Sequence, residues 1–216
     1  MTTVSPETRV AFQIASGICW TLTYILIIRR GFLDKTYGMP LAALCANISW
    51  EFIFAFILLV PTPQNLVNVV WLGFDAVIVS QFLRYGRSGF KGILPDRYFY
   101  PLFVLSLAVA FGGVLTVSYE FQDFIGKYAA FSQNLMMSIL FVVMLVRRNS
   151  VSGQSLYIAL LKMIGTVLPS ILFFMFNSSA PFMNYLFVTI FVFDLIYAVA
   201  LYAKLKEAGI KPWTRF

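Results

Sequence analysis

Four charged side chains stand inside otherwise apolar stretches of this sequence: Glu51, Asp75, Lys162 and Asp194. A charge at the centre of a membrane helix costs about 3 kcal/mol on insertion scales, so such residues pair, face a wet cavity or serve a function. Three acids against one base cannot all be neutralised by pairing, and at least one carboxyl is expected to keep its proton at neutral pH. A carboxylic acid held neutral in a dry pocket is a general acid. Glu51, near the middle of its apolar run, is the leading candidate for that acid. Asp194 is the candidate for holding or relaying the proton with it.

Helical spacing shows what each charged group shares a face with. Asn47 lies one turn before Glu51, and Trp50 is adjacent in the chain. Asn68 and Trp71 lie along the face of Asp75, while Phe187, Ile190, Phe191 and Tyr197 share a stripe with Asp194. Asn47, Trp50, Trp71, Asp75, Phe191 and Tyr197 are therefore the candidate substrate-contacting residues. Asn47 serves equally well as interhelical hydrogen-bond glue, as does Gln133 in a later run. Gln13, Ser16 and Trp20 form a comparable stripe in the first run. Lys162 shares a face with Gly165, Thr166 and Pro169, close enough to a helix end to snorkel, or placed to pair with Asp75.

Several chemistries find no footing. There is no histidine, and Cys19 and Cys45 lie in apolar runs without CxxC spacing. No Asp-Asp-x-x-Asp or Asp-x-Asp-Asp run, phosphate-binding glycine loop or His-Glu-x-x-His motif occurs. No metal ligand set and no cofactor are expected.

The elements that must position these residues are membrane spans. The chain has 216 residues, 60% hydrophobic and only 12% charged, with a mean hydropathy of +0.84. Seven apolar runs cover Val10–Ile28, Pro40–Val60, Leu66–Leu83, Tyr100–Ser118, Tyr128–Val146, Leu156–Phe176 and Phe182–Ala203, each near the length of a spanning helix. Glu7 and Arg9 precede the first run, which does not read as a signal peptide. The expected fold is an all-α integral membrane protein, a single seven-helix transmembrane domain over 1–216. The net charge of +7 is distributed by topology rather than for nucleic acid. Arg29, Arg30 and Lys35 follow the first run, Arg84, Arg87, Lys91 and Arg97 the third, Arg147 and Arg148 the fifth, and Lys204, Lys206, Lys211 and Arg215 the last. The opposite side has Arg9 and Lys127. The positive-inside rule then puts the N-terminus outside or in a lumen and the C-terminus in the cytosol, across a bacterial inner membrane or the endoplasmic reticulum. A faint repeat also runs through the chain: Ile28-Arg29-Arg30 against Val146-Arg147-Arg148, and Phe74-Asp75 against Phe193-Asp194. It suggests two parallel three-helix units joined by the fourth helix, with a site between the halves.

The segments Gly38-Met39-Pro40-Leu41 and Asn47-Ile48-Ser49-Trp50-Glu51-Phe52, followed by a lone Asp in the seventh run, resemble the small integral-membrane terpene cyclases. Those enzymes belong to fungal meroterpenoid and indole-diterpenoid pathways of the pyripyropene and paxilline types, with bacterial relatives. The resemblance implies that Glu51 and Asp194 are the essential acids. It also implies protonation of an epoxide or alkene on a lipophilic prenylated substrate and ring closure by a metal-independent cation cascade. Aromatic faces along such a path each stabilise a passing cation by about 0.5–2 kcal/mol. The implied partners are that substrate and the bilayer, with no nucleic acid and no obligate protein partner. A rival reading takes Pro63-Gln64 at the start of the third run as the turn of a small seven-helix transporter, with the acids as a proton or substrate site. A third reading is a scaffold subunit of a larger membrane complex.

Overall fold

A computed structural model describes residues 5–216 as a bundle of seven helices. They are α1 (Pro6–Leu33), α2 (Leu41–Phe52), α3 (Gln64–Tyr85), α4 (Phe99–Glu120), α5 (Lys127–Arg148), α6 (Leu156–Phe176) and α7 (Pro181–Glu207). Among the described residues there is no strand. Six of the helices are long and apolar enough to cross a membrane. The second is shorter than the expected run: α2 continues as a π-helical turn over Ile53–Ile57 and leaves the helix at Leu58. At 1.5 Å per residue, Leu41–Ile57 reaches about 25 Å, less than the usual ~30 Å hydrocarbon thickness.

Local chemistry sets the helix ends. Ser5 caps α1 by accepting from the Thr8 N–H, with Pro6 at the first helical position. Ser155 caps α6 in the same way through the Ile158 N–H. Asn149 ends α5 in the left-handed conformation. The outward faces carry apolar side chains such as Val104, Val109, Val188 and Val199, as lipid contact requires.

Packing is tightest where small residues allow it. Gly165 of α6 accepts from the Ser16 hydroxyl of α1 at 2.6 Å, and a Cβ there would come within 2.9 Å of Trp20. α1 also packs on α3, where the Gln81 amide donates to the Ile28 carbonyl at 2.7 Å. α2 lies against α3, α4 and α5, and α7 against α5 and α6. A buried apolar core runs between these helices, with Ile27, Leu44, Ile78, Phe141, Ile158 and Leu201 at its centre.

The basic end of the bundle is tied by Asp34. Its carboxylate is shared by Arg30, Arg215 and the Gly153 N–H, the last at 2.7 Å. Arg215 also donates to the Gln154 and Val151 carbonyls, which fastens the C-terminal segment across the α5–α6 turn. Burial pushes the Arg215 guanidinium below its ordinary value, against the opposing pull of Asp34.

At the other end, Gly126 precedes α5 with φ +77° and accepts from the Trp50 indole at 3.0 Å. A Cβ at this position would come within 2.6 Å of the Phe54 ring, and a left-handed backbone disfavours any L side chain. Gly126→Ala should therefore destabilise the detergent-solubilised protein by about 1–3 kcal/mol, seen as a lowered Tm, whereas Gly112→Ala, with open space at its Cβ, should leave Tm near wild type.

Candidate active site

Glu51 and Asn47 occupy successive turns of α2 and point together into the bundle. Both are buried, as is Asp75 on α3. The Asn47 amide nitrogen donates to Asp75 Oδ2 at 2.9 Å, to Glu51 Oε1 at 3.1 Å and to the Tyr24 hydroxyl. It has two hydrogens for three acceptors. The Gln133 amide of α5 donates to Asn47 Oδ1 at 3.4 Å, turning the nitrogen toward the acids. The Tyr24 hydroxyl of α1 in turn donates to Glu51 Oε1. Four helices thus meet at the Asn47 amide.

The two carboxyls are bridged by the Asn47 amide, which donates to an oxygen of each. The ion pairs among the described residues supply neither acid with a cation. Glu51 Oε2 and Asp75 Oδ1 are buried and have no hydrogen-bond partner among the described residues. Two bare charges sharing one amide donor in an apolar interior repel strongly. A proton on either carboxyl would remove that repulsion.

Lys162 and Asp194 form a second, different cluster. The expected pairing of Lys162 with Asp75 does not occur: its ammonium donates to Asp194 Oδ1 at 2.7 Å and to the Ser138 hydroxyl at 2.6 Å. The reason is topological, since α6 packs on α7. Lys162 does not snorkel; it is buried. No hydrogen bond joins Asp194 to Glu51, whose carboxyl neighbour is Asp75. The two clusters adjoin through α5: Gln133 reaches Asn47, and the next residue, Asn134, donates to Thr166 one turn beyond Lys162 at 2.8 Å.

The aromatic candidates divide. Trp71 packs its ring 5.9 Å from that of Tyr24 and donates to Thr21 at 3.1 Å, beside the acid cluster. Tyr197 is buried one turn from Asp194, its ring tilted against that of Phe141 at 5.2 Å and its hydroxyl donating to Gln154 at 3.1 Å. Trp50 turns away from Glu51 toward Phe54 and Gly126. Phe191 is 43% exposed on the outer face of α7, so its expected place on the Asp194 face is corrected: three residues rotate a helix by about 300°, which leaves Phe191 some 60° to the lipid side. Tyr24 was absent from the expected set. Its signal was the continuation of the Gln13, Ser16, Trp20 stripe by one more turn.

Among the described residues, no cluster of three or more histidine, cysteine or acidic groups could hold a metal ion.

A family model described as Pyr4-like transmembrane terpene cyclases matches residues 6–207. The chain is 34% identical over 174 residues to the Pyr4-family terpene cyclase mfmH of Annulohypoxylon moriforme, across 74% of this chain and 67% of the relative. It is 28% identical over 168 residues to the terpene cyclase macJ of Penicillium terrestre, across 76% and 65% of the two chains. With the terpene cyclase andB of Emericella variicolor it shares 29% over 203 residues, across 88% and 85%. The chain thus spans about two thirds of the length of mfmH and macJ. No solved structure matches.

The ion pair carries a stability prediction. Lys162→Met strands a buried charge on Asp194 and should cost about 3–5 kcal/mol, read as a lower Tm in detergent. Adding Asp194→Leu to the same chain should restore most of the loss; a single variant as stable as wild type would show that the pair does not hold α6 to α7.

Proposed function

This chain belongs to the Pyr4-like transmembrane terpene cyclases, and on that premise we propose that it cyclises a lipophilic prenylated substrate, of the meroterpenoid or indole-terpenoid kind, by proton transfer from Glu51. The observation that carries the proposal is the Glu51–Asp75 pair, buried, without a cation and held by Tyr24 and Asn47. The Glu51 O–H bond breaks as its proton reaches an epoxide oxygen, and the epoxide C–O bond opens to a hydroxyl and a carbocation. With an alkene substrate the proton forms a C–H bond instead. Successive double bonds then attack the cation and close rings. Loss of a proton from carbon ends the cascade and returns the proton count to its start, so the product is an isomer.

The other residues take roles around that step. Asp75, joined to Glu51 through the Asn47 amide, disfavours a second charge beside it and so keeps Glu51 protonated. Asp194, paired with Lys162 through Oδ1, keeps Oδ2 as an acceptor without a partner among the described residues. Trp71 and Tyr197 present aromatic rings beside the two clusters. Asn47 orients the acids. A bundle that keeps water from Glu51 also keeps it from quenching the cation. Metal independence is part of the proposal, and turnover should withstand EDTA.

Two features of the architecture fit. The helix neighbours repeat: α1 with α3 and α5 with α7, α2 with α3 and α6 with α7, α1 with α6 and α2 with α5. This supports two parallel three-helix units joined by α4. Lysine and arginine bias supports a cytosolic C-terminus. The family match sets aside the transporter reading of Pro63-Gln64, which simply opens α3.

The test is an assay in microsomes with farnesylated and geranylgeranylated aromatic substrates, with and without a terminal epoxide. Wild type should give a product of unchanged mass and new retention time, absent with Glu51→Gln and with Asp194→Asn and unaffected by EDTA. Cyclised product from Glu51→Gln at the wild-type rate would overturn the assignment of the acid.

A further inference from the structure

The Tyr24 hydroxyl is the least expected member of the acid cluster and the most constrained. It sits on α1, the only described residue of that helix to reach Glu51 by a hydrogen bond. Tyr24 is 2% exposed, and its ring is fixed independently of the hydroxyl by Trp20, Trp71 and Phe74, with centroids 6.2, 5.9 and 5.9 Å away. Trp71 is itself anchored on Thr21 of α1. The hydroxyl is used at both ends: it accepts from Asn47 and donates to Glu51 Oε1.

The two oxygens of Glu51 are thereby made unequal. Oε1 receives two donors, the Tyr24 hydroxyl and the Asn47 amide. Oε2 is buried and receives none. A protonated carboxyl has one carbonyl oxygen, which accepts, and one hydroxyl oxygen, which donates. Donors crowding Oε1 select it as the carbonyl.

We propose that Tyr24 is a positioning residue for the cyclisation: its hydroxyl pins Glu51 Oε1, so that Oε2 carries the transferable proton and faces the reacting group in one orientation. The inference rests on the reading of Glu51 as the proton donor. When the proton leaves Oε2, the charge that develops spreads to Oε1, where the same two donors already stand and need no reorganisation. Proton transfer is the step that gains; docking of the prenyl chain is not. Tyr24 therefore acts on kcat and not on KM.

The test is Tyr24→Phe in purified, full-length protein, assayed with a substrate that wild type cyclises. Glu51→Gln serves as the dead reference and Tyr185→Phe, on the exposed face of α7, as the tyrosine control. Tyr24→Phe keeps the ring packing and should lower kcat tenfold or more while KM stays within about twofold; Tyr185→Phe should track wild type. Tyr24→Phe with wild-type kcat, while Glu51→Gln is dead, overturns the positioning role and leaves the acid assignment standing. A fall in kcat/KM carried by KM also overturns it, because that is a binding role. A Tyr24→Phe chain that aggregates in detergent overturns it as well, since a hydroxyl required for folding is not reserved for orienting Glu51. Glu51→Gln as active as wild type removes both readings together.

Discussion

A carboxyl group in an apolar interior must find donors, a cation or a proton, and the rest of this bundle follows from how Glu51 meets that demand. The donors come from three helices: Tyr24 from α1, Asn47 from the turn of α2 before Glu51 itself, and, one step removed, Gln133 from α5 turning the Asn47 amide. The fourth helix contributes a second acid, Asp75, rather than a base. Each hydrogen bond fixes a rotation and a depth for the helix that supplies it. Moving any one of them by a turn would leave buried polar atoms unpaired, at about 1–3 kcal/mol each.

The Lys162–Asp194 pair answers the same demand in the other way, by neutralising one charge with another. The bundle thus carries on adjoining helices one pair of acids without a cation and one acid neutralised by a lysine. The Asp34 clamp, with Arg30, Arg215 and the Gly153 N–H, closes the basic end outside the apolar layer. There largely buried charges bind one another at the end of the bundle, apart from the two clusters.

Much of this was legible in the sequence, and the failures have physical causes. The i,i+4 spacing of Asn47 and Glu51 put them on one face, because that relation is internal to a single helix. Seven helices were legible from hydropathy, but not the early exit of the second one through a π turn, which depends on tertiary contacts. The partner of Lys162 was not legible, since Asp75 and Asp194 are equivalent as acids in apolar runs and only the packing of α6 on α7 separates them. Phe191 was misplaced because a shared stripe is wide, and its outer edge faces lipid. Tyr24 was passed over because a tyrosine in an apolar span reads as an interfacial or packing residue until its hydroxyl is found against an acid.

The central claim is that the Glu51–Asp75 pair holds a proton while Asp194 does not. Infrared spectroscopy of the purified protein in lipid nanodiscs at neutral pH tests it without any substrate. The account predicts a C=O stretch of a protonated carboxylic acid that is lost or shifted in both Glu51→Gln and Asp75→Asn and unchanged in Asp194→Asn. A wild-type spectrum with only carboxylate bands, or a protonated band that vanishes with Asp194→Asn alone, would contradict it.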